Sequence, residues 1–184
     1  MIRFLTIGRV LYDKGFKELL ECASYFKTQM VDLEFQWLGP IDTEYSQYVS
    51  ECEIRSCHDR NILTYLGAHP DVRHFIADSD CVVLPSYHEG MSRVLMEGLA
   101  MGKPIIASNI PGCKEAVIDG ENGFLCEPRD SQSLIDAINK FILLSDDERQ
   151  KFCEVSRELA EKRFDIKHVI NIYDQVVNQI VGNK

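Results

Sequence analysis

No apolar run in this chain approaches membrane-spanning length, and no secretory signal opens it. The start, Met1-Ile2-Arg3-Phe4-Leu5-Thr6-Ile7-Gly8, reads as a strand already inside a domain, so the cytoplasm is the expected compartment. Basic residues are in short supply. Twenty Lys and Arg against 29 Asp and Glu leave a net charge of −9, which argues against nucleic acid and anionic membrane surfaces as partners. Cys-x-x-Cys pairs are missing from a chain with seven cysteines. Cys52, Cys57 and His58 lie close together, but no second ligand cluster completes a metal set. Reduced thiols packed as small hydrophobes are expected, and no metal. The loop after the first strand is neither a Gly-x-Gly-x-x-Gly fingerprint nor a Gly-x-x-x-x-Gly-Lys-Ser/Thr loop, which removes support for a nicotinamide or flavin cofactor. Internal repeats, low-complexity tracts and interdomain linkers are absent too.

What is present fits one domain of 184 residues with a substantial core. Strand-like runs at Ile2–Ile7, Leu33–Leu38, Ile62–Leu66, Cys81–Leu84, Pro104–Ala107 and Gly123–Cys126 alternate with helical patterns. Several of the runs are short, continuous and apolar, as in a parallel sheet covered on both faces. Helices are expected over Phe16–Gln29, Glu44–Cys57, Asp71–Ala77, Ser92–Met101, Asp146–Arg163 and Ile166–Ile180, with a further stripe of Leu134, Ala137, Ile138, Phe141 and Ile142. This alternation predicts an α/β fold: a doubly wound, Rossmann-like parallel sheet of about six strands with helices on both faces. The loops at Gly8, Gly39, Gly67 and Pro85 then line one crevice beyond the carboxyl ends of the strands.

Two segments carry chemistry. Gly8-Arg9-Val10-Leu11-Tyr12-Asp13-Lys14-Gly15 joins the first strand to the first helix. Its Arg9 and Lys14 suit a diphosphate, one as a fork and one as a point charge. The second runs from Glu89 to Glu97, eight positions apart, directly after the apolar run Cys81–Leu84 and Pro85. Ser92 is placed to cap the helix, and the N–H groups of Gly90, Met91, Ser92, Val94 and Leu95 are expected to be free for an anion. Carboxylates cannot hold phosphate, but they accept hydrogen bonds from hydroxyl pairs. Glu97, on a helix that reads as mostly buried, therefore suits a ribose diol, and the pair of segments suits a nucleotide-sugar.

The Gly-Arg-x-x-x-x-Lys-Gly loop and the Glu-x7-Glu stretch are followed by Pro111-Gly112-x-x-Glu115 and by Asp119-Gly120-x-Asn122-Gly123-Phe124-Leu125. In this order they resemble the carboxyl-terminal, donor-binding lobe of the retaining glycosyltransferases of family four, the group 1 glycosyltransferases. The resemblance implies one lobe of a GT-B architecture spanning residues 1–184, with a nucleoside-diphosphate sugar as donor and no cofactor required. Arg9 and Lys14 would neutralise the diphosphate, and Glu89 would lie at the donor sugar. The N–H groups of Gly90, Met91 and Ser92 would hold sugar hydroxyls, and those of Val94 and Leu95 phosphate. Glu97 would take the ribose, and Gly8, Leu66 and Gly67 would border the nucleotide. No amino-terminal lobe is recognisable, so a fragment or isolated lobe is expected, inactive alone, with a glycan or lipid-linked acceptor reached through the missing lobe. The last helix, 165–180, would then turn an apolar face around Ile172, Tyr173 and Val176 toward that lobe. A nucleotide-binding module without catalysis, or an epimerase or phosphorylase of the same architecture, are the rival readings.

Asp78-Ser79-Asp80 matches the Asp-x-Asp metal motif of the other major glycosyltransferase fold, but it stands before a strand, away from the crevice, and reads as a turn or a helix terminus. Trp37 and Tyr65 read as core. Tyr12 and His88 are placed to border the donor site.

Overall fold

The structure, a computed structural model, describes residues 1–182. Its sheet has six parallel strands in the order β3-β2-β1-β4-β5-β6. They are β1 (Ile2–Ile7), β2 (Leu33–Leu38), β3 (Thr64–Gly67), β4 (Cys81–Leu84), β5 (Ile105–Ser108) and β6 (Gly123–Cys126). The order reverses between β1 and β4, which pair through Phe4↔Cys81 and Leu5↔Val82. That reversal is where an open α/β sheet leaves a crevice.

Alternation explains why the strands are apolar throughout. Phe4, Cys81, Val83 and Ile106 face one core with Phe16, Leu19 and Phe26 of α1 (Phe16–Thr28) and with Leu134, Ile138 and Phe141 of α5 (Ser131–Ile142). Leu5, Val82, Leu84, Ile105 and Ala107 face a second core with Ile76 of α3 (Arg73–Asp78) and Leu95 and Leu99 of α4 (Arg93–Ala100). Successive side chains of a strand point to opposite faces, so both must be apolar when both are covered.

The expected helix over Glu44–Cys57 is corrected. Residues before Val49 form turns, and α2 covers Glu51–Asp59. The backbone there is committed elsewhere: Tyr12 N–H donates to the Gln47 carbonyl and Val49 N–H to the Val10 carbonyl. Ser50 caps α2 by accepting from Glu53 N–H at 3.2 Å. The charged helix α6 (Asp146–Leu159) opens on a capping box of Ser145 and Glu148. It ends in a π-helical turn, Ala160–Phe164, rather than running to Arg163. The last helix, α7 (Ile166–Gly182), exposes Ile172 (61%), Tyr173 (68%) and Val176 (47%) to solvent. No helix among the described residues is long and apolar enough to cross a membrane.

Candidate functional site

The two chemical segments are built into one structure. After β1, the indole N–H of the fully buried Trp37 donates to the Gly8 carbonyl at 3.0 Å and fixes the start of the first loop. Val10 and Leu11 are buried beneath it. A 3-10 turn, Tyr12–Lys14, then ends at Gly15 in the left-handed region, φ 79°. A Cβ on Gly15 would stand 2.2 Å from the Pro85 carbonyl oxygen, so glycine is what lets the second loop lie against the first. Two further bonds join them: Tyr87 N–H donates to the Asp13 carbonyl at 2.8 Å, and Ser86 Oγ donates to the same oxygen at 3.3 Å. Lys14 Nζ consequently meets Glu89 Oε1 at 2.6 Å, with side-chain exposures of 20% and 14%.

A third segment braces the Glu89 loop. Gly112, at φ 87°, approaches so closely that a Cβ would stand 2.1 Å from the Gly90 carbonyl oxygen. Its own carbonyl accepts from Ser92 N–H at 3.2 Å, and its N–H donates to Glu115 Oε2 at 2.8 Å. The expectation of free N–H groups is therefore corrected at two positions. Ser92 N–H is taken by Gly112, and Leu95 N–H donates to Ser92 Oγ at 3.4 Å, because Ser92 is the N-cap of α4. Those of Gly90, Met91 and Val94 find no acceptor among the described residues.

The crevice between these loops has a volume of about 200 Å³, and its walls include Gly8, Lys14, Glu89, Met91, Ser92 and Val94. Arg93 also lines it, a residue that no sequence pattern had singled out. Arg9 does not join this group. Its Nη1 donates to Asp42 Oδ2 at 2.8 Å and its guanidinium lies 5.0 Å from the Tyr45 ring centroid. Glu97 is exposed, which corrects the view of α4 as a mostly buried helix: Arg93, Glu97 and Ala100 form an open face. Glu97 borders grooves on both sides of the helix, one against α6 and the π turn and one against α3. Leu66 and Gly67 stand at the end of β3, where Gly67 carbonyl accepts from Gly39 N–H at 2.8 Å, and they are not in the crevice wall.

Other side chains settle into structural roles. Tyr12 does not border the crevice: its hydroxyl donates to Glu53 Oε2 at 2.7 Å, and that bond, with burial, pushes the phenol up to about 12. Tyr87 donates to both oxygens of the buried Glu18 at 2.7 and 2.8 Å, while Arg129 lies 4.7 Å from its ring centroid. Sixty-nine residues separate Tyr87 from Glu18, so no local pattern signals the pair. Asp80 Oδ2 accepts from Arg3 N–H at 2.7 Å at the amino-terminal end of the sheet, away from the crevice. Asn122 is fully buried, accepts from Ile118 N–H at 2.6 Å and donates to the Ala116 carbonyl at 3.1 Å, so its motif is a structural turn.

The profile of the group 1 glycosyl transferases matches residues 2–159. Over 182 residues the chain is 28% identical to the N,N'-diacetylbacillosaminyl-diphospho-undecaprenol alpha-1,3-N-acetylgalactosaminyltransferase of Campylobacter jejuni, covering 96% of this chain and 45% of that protein. It is 25% identical over 159 residues to the capsular polysaccharide biosynthesis glycosyltransferase CapM of Staphylococcus aureus, covering 86% and 41%. The crystal structure of Anabaena HepE in complex with UDP superposes with a TM-score of 0.80 at 26% identity, covering 98% of this chain and 49% of that one. The chain thus spans less than half the length of these curated relatives and corresponds to the carboxyl-terminal half of a GT-B glycosyltransferase. On its matched residues, its sheet and its place in that architecture, the chain belongs to the group 1 glycosyl transferases.

Proposed function

We propose that this chain is the donor-binding lobe of a retaining glycosyltransferase that moves a sugar from a nucleoside-diphosphate sugar to a glycan or lipid-linked acceptor in surface polysaccharide assembly. The observation that carries the reading is the Lys14–Glu89 pair at the topological reversal, beside the unsatisfied N–H groups at the start of α4. A diphosphate entering the crevice takes Lys14 and those N–H groups, and Arg9 turns from Asp42 to join them. Glu89, released from Lys14, accepts hydroxyls of the donor sugar and supports positive charge developing at its anomeric carbon. Glu97 accepts the ribose diol. Lys14, Arg9 and the helix terminus stabilise the leaving nucleoside diphosphate without a metal. The name of CapM supports a role in a surface polysaccharide, the diphospho-undecaprenol in the name of the Campylobacter protein supports a lipid-linked acceptor, and UDP in the HepE complex supports a uridine donor. The exposed apolar face of α7 is the surface on which the other lobe packs, and the acceptor binds between the lobes.

The test is calorimetric titration with UDP, GDP and their sugar conjugates, on this chain and on this chain joined to its other lobe. Glu97→Ala and Arg9→Ala should each weaken binding by about 1.5–3 kcal/mol. Binding that is unchanged in both variants, with the fold intact, would refute the site. Sugar transfer should require the joined protein.

A further inference from the structure

Tyr87 stands shortly before Glu89 in the second loop, and Glu18 follows Lys14 into the first turn of α1. The phenol donates to Glu18 Oε1 at 2.7 Å and to Oε2 at 2.8 Å. A second side-chain bridge thus joins the two segments that the Lys14–Glu89 pair joins at 2.6 Å. The bridges differ in what can reach them. Lys14 and Glu89 line the crevice, whereas Glu18 is 5% exposed and neither it nor Tyr87 belongs to the crevice wall. An anion entering the crevice can separate the first pair and leaves the second intact.

The second bridge is held at a cost. Among the described residues no Lys, Arg or His nitrogen lies within 4.0 Å of the Glu18 carboxylate, which accepts from one neutral phenol. An apolar side chain at this place on α1 would avoid that desolvation. The Tyr87 ring also carries the Arg129 guanidinium, 4.7 Å from its centroid. Arg129 sits at φ 62°, a left-handed conformation uncommon for arginine. Buried charge and backbone strain meeting on one side chain mark a place where position is held against stability. Burial and the neighbouring carboxylate push the phenol well above its ordinary value, so it stays a donor across the neutral range.

We infer that Tyr87 is a positioning residue for Glu89: its bond to Glu18 keeps the Glu89 carboxylate aimed at the donor sugar once the diphosphate has drawn Lys14 away. The inference rests on the donor-site reading above and deepens it. In the empty crevice Lys14 itself holds Glu89. With the donor bound that contact is gone, and the loop keeps its place through residues 86 and 87. The Tyr87 N–H and the Ser86 hydroxyl hold it at the Asp13 carbonyl, and the phenol adds an anchor on α1. Tyr87 itself touches neither sugar nor phosphate, so its loss is felt through Glu89.

The experiment compares affinity for UDP with affinity for UDP-glucose and UDP-N-acetylgalactosamine. Calorimetry gives both, on this chain and on this chain joined to its other lobe. Glu89→Gln should lower the preference for UDP-sugar over UDP about tenfold. Tyr87→Phe should lower it by a similar factor, leave the affinity for UDP within about twofold, and add nothing in the Glu89→Gln background. Thermal unfolding separates positioning from support. Tyr87→Phe strands the buried carboxylate and should unfold at a lower temperature. Combining it with Glu18→Leu makes both partners apolar and should restore the midpoint to within about 2 °C, with the preference still lowered. Three results overturn the inference and leave the donor site standing: a preference restored along with the midpoint, one that Tyr87→Phe leaves unchanged while Glu89→Gln lowers it, or losses that add in full. If the parent binds no UDP in either form, or Glu89→Gln leaves the preference unchanged, the donor-site reading falls and the inference falls with it.

Discussion

Replacing Lys14 by Met keeps the bulk of the stem and removes the ammonium, leaving Glu89 at 14% exposure with no cation. At a separation of 2.6 Å the Coulomb attraction is about 6 kcal/mol for an effective dielectric constant of about 20. Desolvation of the two ions removes several kcal/mol of this, so a double-mutant cycle should give a coupling of about 1–3 kcal/mol. The cycle consists of Lys14→Met, Glu89→Gln and the double variant, with stability read by urea unfolding through Trp37, the one tryptophan. Lys14→Met should cost more than the double variant, because it alone strands a charge. Nucleotide titration separates the two residues further. Lys14→Met should weaken nucleoside-diphosphate binding. Glu89→Gln should strengthen it about tenfold, because the freed ammonium no longer has to leave a carboxylate to meet phosphate. Additivity of the two substitutions within about 0.5 kcal/mol would show that the pair contributes nothing in solution and would refute the reasoning.

Gly112→Ala places a Cβ 2.1 Å from the Gly90 carbonyl oxygen, so the Glu89 loop must shift; nucleotide binding should be lost with about 1–3 kcal/mol of stability. Gly120→Ala is the control: φ is also positive at 79°, but the space around its Cβ is open, so binding should persist. Tyr87→Phe removes the donor of the buried Glu18 and should cost about 1–3 kcal/mol in urea unfolding; an unchanged midpoint would mean that another group satisfies this carboxylate. Burial pushes the Cys113 and Cys126 thiols up to about 12, so the folded state holds these protons more tightly than the unfolded chain does. Their contribution to stability is complete below the unfolded thiol value of about 8.5 and is lost as pH rises toward the folded value. The thermal midpoint should therefore fall between about pH 9 and 11. A thiol reagent should modify the exposed Cys52 in the native protein and reach the buried cysteines only on unfolding.

The sheet was legible because its strands are short and apolar on both faces. Ile2–Ile7, Leu33–Leu38, Cys81–Leu84 and Gly123–Cys126 coincide with the observed strands residue for residue. Residues 44–49 deceived because the Gln47 carbonyl and the Val49 N–H pair with the 10–12 segment and not within a helix. The Ser50-x-x-Glu53 signature of a capping box marks the true start, and it could have been read. Lys14 and Glu89 were legible as types in the right loops, but their contact depends on bonds between Asp13 and residues 86 and 87, which carry no local signature. Arg93 was passed over because a single arginine at a helix start looks like any solvated cation, and its place in the crevice wall depends on how the loop before α4 folds.

The sheet also divides the molecule into two apolar compartments, and the site takes one half from each. Lys14 leads into α1, rooted among Phe16, Leu19 and Phe26, while Glu89 leads into α4, rooted around Leu95 and Leu99. The ammonium and the carboxylate therefore owe their placement to separate foundations that meet beyond the carboxyl ends of the central strands β1 and β4. A cavity cut beneath Leu99 should blunt the carboxylate half while the ammonium half keeps its footing, and one cut beneath Phe26 should do the reverse. Sequence drift in one compartment can then alter one half of the crevice while the other half keeps its place.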